Sequence, residues 1–243
     1  ANVTLTISNE VNLTGAVDGI KVPSKTTLTI DGDGKLTVIG SNGSGIGNDG
    51  NITIKNLTIQ EARGIGDHAF GIGGNNANVT IQNATINYAC GGHIQPLFVN
   101  DKKYGKSEPE GGAGIGGINI KIEGSTITKV DGGSKAAAIG AQYHQSTEIK
   151  IKNSTIGEAN GGNASAGIGG SRYASGISES NKQEAKILIE DSNIKAYGGQ
   201  FAAGIGSGYD THCRANDKNA INNIIIKNST IVAQGGQYAA GIG

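Results

Sequence analysis

The densest group of reactive side chains in the chain is the run Tyr209-Asp210-Thr211-His212-Cys213-Arg214. A phenol, a carboxylate, an imidazole, a thiol and a guanidinium so close together could hold sugar hydroxyls, bind a carboxylate or move a proton. Tyr209 lies three residues past Gly204-Ile205-Gly206, Tyr143 three past Ala138-Ile139-Gly140, and Tyr173 four past Gly167-Ile168-Gly169. Aromatic rings entering at the same point of consecutive repeats would give stacking platforms for sugar rings. Arg172, Asp210 and His212, beside two of those tyrosines, would then hydrogen-bond hydroxyls or a uronate carboxylate. Packing within loops explains the same residues without any ligand.

Other chemistries fit less well. His68, His93, His144 and His212 are scattered without metal-ligand spacing, so no metal site and no cofactor are expected. Asp31-Gly32-Asp33-Gly34 resembles part of a calcium loop but lacks the further carboxylates, and reads as a turn. No helix follows the glycine-rich strings, so they have no dipole to hold a phosphate. Cys90 and Cys213 fall on levels separated by roughly 14 Å at the usual inter-strand spacing. A disulfide needs Cα atoms within about 7 Å, so that pairing would require the 207–222 loop to drape downward. The Asn-x-Ser/Thr triplets follow from a turn pattern and are weak evidence of glycosylation.

The totals narrow the class further. Of 243 residues, 42 are Gly and 3 are Phe, with no Met or Trp, which argues against an aromatic-rich globular core. Twenty basic and twenty acidic residues cancel, so neither nucleic acid nor a membrane surface is an expected partner. No apolar run reaches the length needed to span a bilayer. No secretion signal precedes the abrupt start, and the chain reads as a mature or cloned fragment.

What positions the candidate residues is a repeat. Gly-Ile-Gly recurs at 45–47, 71–73, 114–116, 167–169, 204–206 and 241–243, with Ala138-Ile139-Gly140 as a near copy. Before each comes an alternating segment such as NITIKNLTI from Asn51, NVTIQNATI from Asn78 or NIIIKNSTI from Asn223. Alternation of this kind is the signature of short strands. Gly132-Gly133, Gly161-Gly162, Gly198-Gly199 and Gly235-Gly236 mark a corner always six residues ahead of the central isoleucine. The expected fold is all-β: a right-handed parallel β-helix, or β-solenoid, of about seven coils with loop insertions.

Residues 1–243 read as a single domain, with 1–26 an atypical N-terminal coil or cap and 27–243 the repeats, the array being cut at the C-terminus. Strand alternation sends Ile52 and Ile54, Ile120 and Ile122, Ile149 and Ile151 inward. Asn56, Asn83, Gly124, Asn153, Asp191 and Asn228 share a turn position that calls for a left-handed backbone, and stacked Asn side chains there could bond each other. The neighbouring outward column, Asp31, Lys55, Gln82, Glu123, Lys152, Glu190, Lys227, mostly avoids like charges face to face. The glycines of the Gly-Ile-Gly strands are expected to point outward as a flat trough for an extended polymer, unless they serve tight corners or a loop folding over them. Insertions at 74–77, 93–110, 141–147, 171–185 and 207–222 would fence that face.

The strings NITIKNLTI…AGIGG and IKAYGGQFAAGIGSG resemble repeats of secreted or cell-wall-attached surface proteins of Gram-positive bacteria. That resemblance implies a right-handed parallel β-helix, an extracellular setting, and an adhesin-like or carbohydrate-binding role. The expected partner is a polysaccharide or host glycan, or a host surface protein. The polysaccharide lyases and glycosidases on this fold carry clustered calcium-binding Asp with a catalytic Arg or Lys, or several Asp on adjacent coils. Neither set is found here, and Glu123 and Glu190 face lysines rather than forming an acid/base pair. The balance is therefore toward a non-enzymatic glycan-binding or adhesin module binding along the glycine-rich face. A lyase or hydrolase using His212, Arg214 and Asp217, and a structural stalk, are the alternatives. Ice binding is rejected, because the outward column Thr29, Thr53, Thr80 gives way to Lys121, Lys150, Leu188 and Ile225.

Overall fold

The computed structural model describes residues 1–92, 110–140, 142, 147–171, 185–209 and 223–243. Three parallel sheets run the length of the array, and each rung contributes one strand to each. The first sheet stacks Asn2–Thr6, Thr27–Asp31, Asn51–Lys55, Asn78–Gln82, Asn119–Glu123, Thr147–Lys152, Ala185–Glu190 and Asn223–Lys227. The second stacks Glu10–Gly15, Lys35–Gly40, Thr58–Gly64, Thr85–Cys90, Thr126–Asp131, Thr155–Asn160, Asn193–Tyr197 and Thr230–Gln234. The third is built from two-residue strands, from Ile20–Lys21 and Ile46–Gly47 through Ile205–Gly206, and the bridge from Ile205 to Ile242 adds its last rung. The fold is a right-handed parallel β-helix. It has eight rungs, because residues 1–26 pair in register with the next coil, Asn2 opposite Thr27 and Ile20 opposite Ile46. The atypical segment keeps Gly19 and Ile20 at its third strand and differs there only in having Lys21 where later rungs have the second glycine.

The core follows from strand alternation. Ile30, Ile54, Ile81, Ile122, Ile151 and Ile189 stack directly above one another and are buried, as are Leu36, Ile59, Ile86, Ile127, Ile156 and Ile194 in the second sheet. The central isoleucines of the third sheet, Ile46, Ile72, Ile115, Ile139, Ile168 and Ile205, close the interior from the remaining side. Each fully buried isoleucine contributes about 1.5–3 kcal/mol relative to exposure. Ladders of one side-chain shape supply the packing that aromatics provide in a globular core.

The turn between the first two sheets is left-handed in rung after rung: Asn56 (φ 60°), Asn83 (48°), Gly124 (59°), Asn153 (48°), Asp191 (49°) and Asn228 (48°). Only Gly, Asn and Asp take this conformation readily. From Asn56 to Asp191 each turn N–H donates to the carbonyl of the next rung, as from Asn56 to Gln82 (3.2 Å) and Asn153 to Glu190 (3.1 Å). The stacked asparagine side chains occur elsewhere, at the strand start. Asn119 Nδ2 donates to Asn78 Oδ1 (2.6 Å), and Asn78 Nδ2 to Asn51 Oδ1 (2.7 Å). Of the turn asparagines, Asn56 donates instead to Asp31 Oδ1 (2.9 Å). One step inside the turn lies a column that alternation alone does not reveal. The amides of Ser125, Ser154 and Ser192 donate to the hydroxyls of Ser154 (3.2 Å), Ser192 (3.1 Å) and Ser229 (3.1 Å). Each hydroxyl in turn donates to the carbonyl two residues back, so all four hydroxyls and the amides of Ser125, Ser154 and Ser192 are satisfied.

In the outward charge column, cross-rung pairs form between Lys55 and Asp31 (3.1 Å) and between Lys227 and Glu190 (3.0 Å). Glu123 faces Lys152 in register but pairs along its own strand with Lys121 (2.8 Å), as Glu148 does with Lys150 (2.6 Å).

Candidate functional site

The third sheet differs from expectation in one decisive respect: its glycines are buried, not outward. At Gly73 (φ +121°) an added Cβ would lie 1.8 Å from the carbonyl oxygen of Gly116, and at Gly169 (φ +130°) it would lie 2.1 Å from that of Gly206. The missing side chain is therefore replaced by the backbone of the next rung, and there is no open trough. The chain also turns back after the strand. The carbonyl of Gly170 accepts from Ala166 N–H (2.8 Å), that of Ser207 from Ala203 N–H (3.0 Å), and Tyr209 N–H donates to Ala164 (2.8 Å). Gln142, one rung away, sends its side chain back to the carbonyl of Gly111 (3.4 Å). The described bases of three insertions thus lie over the glycine sheet. The segment 74–77, by contrast, is only a tight turn closed by Ala77 N–H to Gly74 (3.2 Å).

What the edge of this sheet presents outward is set at the Gly-Gly corner. Turns Gly133–Ala136, Gly162–Ser165, Gly199–Ala202 and Gly236–Ala239 are each closed by an i to i+3 hydrogen bond of 3.1 Å. Their third residues, Lys135, Ala164, Phe201 and Tyr238, have φ between 58° and 63°. This position normally calls for Gly or Asn, and a bulky side chain there is a local strain of order 1 kcal/mol. Phe201 and Tyr238 stand in register, their rings 6.0 Å apart and within 7° of parallel. Tyr209 packs on Phe201 at 5.2 Å with a 39° tilt. Tyr238 is 88% exposed and Tyr209 36%, and the carboxamides of Gln200 and Gln237 are exposed beside them. The result is an aromatic rim flanked by hydrogen-bonding groups.

Two polar groups lie toward the other end. His68 Nδ1 is 2.7 Å from Gln142 Nε2 and its Nε2 is 3.8 Å from Glu110, which also approaches Lys135 Nζ (3.8 Å). Gln142 is buried, and its Oε1 has no hydrogen-bond partner among the described residues. At the end of the second sheet, Tyr88 OH and Asn160 Nδ2 donate to the two oxygens of Asp131 (both 2.8 Å), with Lys129 Nζ 3.4 Å away. Next to them Arg63 Nε reaches Cys90 Sγ at 3.5 Å. Burial pushes the Cys90 thiol up despite Arg63, and burial likewise pushes the Tyr88 phenol up. Cys90 is a free, fully buried thiol. The Asp131 carboxylate is internally paired and the Cys90 thiol is buried, whereas the His68 ring stands half-exposed.

Of the sequence-derived candidates, Tyr209 stands on the rim as described. Tyr143, Arg172, Tyr173, Asp210 and His212 lie outside the described residues, as do Cys213, Arg214 and Asp217. Phe201 and Tyr238 were not singled out from the sequence. Their signal was the matched strings Gly198-Gly199-Gln200-Phe201 and Gly235-Gly236-Gln237-Tyr238. Among the described residues no three His, Cys, Asp or Glu side chains come together as a metal site, and no helix is long and apolar enough to cross a membrane.

Residues 149–172 and 187–209 match the beta helix repeat family, two consecutive rungs of the array. No curated protein and no solved structure matches the chain significantly.

Proposed function

We propose that this β-helix is an extracellular, non-enzymatic module that binds a polysaccharide or host glycan through the aromatic rim over its third sheet. The supporting observation is the column Phe201–Tyr238, where ring-bearing residues occupy a left-handed turn position that Gly or Asn would fill without strain. Packing does not require rings there, since Ala164 holds the same position one rung earlier. Exposed aromatic faces flanked by carboxamides suit the apolar face and the hydroxyl edge of a sugar. The insertions that begin at the same edge would add to the rim or select among glycans.

Affinity electrophoresis through gels cast with plant, host and bacterial polysaccharides tests this reading, each gel being stained afterwards for loss of polymer. Retardation by one polymer without clearing, reduced in Tyr209→Ala and Tyr238→Gly, is the expected result. Unchanged retardation in both variants would remove the rim from the site. Clearing of the polymer would favour a lyase or hydrolase, and no retardation at all a stalk or a protein receptor.

A further inference from the structure

The edge opposite the rim, where the first sheet turns into the second, has its own concave feature. It is a shallow, largely open groove of about 510 Å³ along three rungs. One wall is the left-handed turn column Asn153, Asp191, Asn228, and the other is Thr155, Asn193, Thr230; the serine ladder forms the floor. All six wall residues are exposed. Among the described residues this edge carries only turns of two or three residues in all eight rungs, with no insertion between the two sheets. The lining consists of hydroxyls, carboxamides and a single charge, the Asp191 carboxylate. That carboxylate has no ion pair or hydrogen bond among the described residues, whereas Glu190 beside it is matched by Lys227.

We propose that this groove is a second glycan subsite, taking an extended, neutral polysaccharide parallel to the array, with about one sugar per rung. The rung spacing of about 4.8 Å is close to the advance of one pyranose in an extended chain. Asp191 accepts from a pair of vicinal hydroxyls, while the carboxamides of Asn153, Asn193 and Asn228 both donate and accept along the neighbouring sugars. No cation in the lining would neutralise a uronate, so the preferred polymer is uncharged. This inference rests on the glycan-binding reading but assigns that binding to a different edge.

The test uses gels cast with neutral β-glucan, mannan or xylan, and with polygalacturonate as the acidic polymer. Asp191→Gly deletes the carboxylate at a position where Gly124 shows that the fold accepts glycine. It is combined with the rim double variant Tyr209→Ala/Tyr238→Gly. The expected result is retardation by a neutral polymer that survives the rim double variant. Asp191→Gly then weakens it about tenfold or more, the scale of a lost hydrogen bond to a charged group, at unchanged thermal midpoint. If the rim variant abolishes retardation and Asp191→Gly leaves it intact, the groove proposal falls and the rim reading stands. If Asp191→Gly alone abolishes it, the groove is the main site and the rim falls. If no polymer retards the unmodified protein, or only polygalacturonate does, the groove proposal fails.

Discussion

The two long sheets and the short one stack the same eight rungs with different residues. In the first and second sheets each rung lays down five to seven residues, and buried isoleucine side chains fill the interior between them. In the third sheet a rung contributes two residues, one isoleucine pointing in and, from the second rung onward, one glycine whose side-chain space is taken by a neighbouring carbonyl. Side-chain volume holds the long sheets, and its absence holds the short one. The difference also divides tolerance from variation. The turn joining the long sheets is three residues in the first two rungs and two in the other six, whereas the insertions flank the glycine sheet.

Breaking the long sheets should cost most. Ile122→Ala, in the middle of a fully buried ladder, is expected to destabilise by about 4 kcal/mol, read as a lowered denaturation midpoint in urea. Gly169→Ala strikes the short sheet without removing any contact. It should still cost about 3 kcal/mol or more, because it combines a backbone clash with a φ that L-residues avoid. The matching control is Gly124→Asn, which places at a left-handed turn the residue other rungs already use, and should change stability by less than about 0.5 kcal/mol. If Gly169→Ala proved as mild as that control, the backbone-contact account of the third sheet would be wrong.

Ser154→Ala sharpens the comparison within the regular edge. It leaves the amide of Ser125 without its acceptor, at an expected cost of about 1–2 kcal/mol. Faster hydrogen exchange at the Ser125 amide should accompany the loss. The smallest effect is electrostatic. Asn56 holds Asp31 below the ordinary carboxylate value of 3.8, and Lys121, Lys150 and Lys227 hold Glu123, Glu148 and Glu190 below 4.5. Folded values below the unfolded ones mean that the contribution is complete above those ordinary values and disappears as pH falls through the lower folded ones. All four groups are partly exposed to solvent, so screening keeps the effect slight. Thermal midpoints should be level from pH 6 to pH 8 and fall modestly by pH 3, less so in high salt.

Much of this architecture was legible because its causes are local. Alternation sent Ile52 and Ile54 inward, and Asn at a recurring turn position announced the left-handed backbone later found at Asn56, Asn83 and Asn153. The glycine face was misread because a glycine's surroundings are not local. Whether Gly169 faces solvent depends on where Gly206 and the returning segment lie, and nothing in the string Gly-Ile-Gly encodes that. The Gln142 and His68 contact joins residues 74 positions apart and was invisible for the same reason. Residues 1–26 looked like a cap because they lack the complete Gly-Ile-Gly element, with Lys21 following Gly19-Ile20, although their strand alternation already matched the rung that follows. The rim was half legible: Tyr209 came from its distance to Gly-Ile-Gly, whereas Phe201 and Tyr238 needed the corners to be aligned on the column they share.

The charge column has a consequence for how such an array can change length by recombination. Glu123, Lys152, Glu190 and Lys227 alternate in sign on successive rungs. Excising residues 140–168 would rejoin Ile139 to Gly169 and keep every isoleucine ladder continuous, yet it would set Glu123 directly against Glu190. Removing two adjacent rungs would instead bring Glu123 to Lys227. The backbone counts rungs one at a time, but the surface counts them in pairs, so duplications and deletions within this segment should be better tolerated in even numbers.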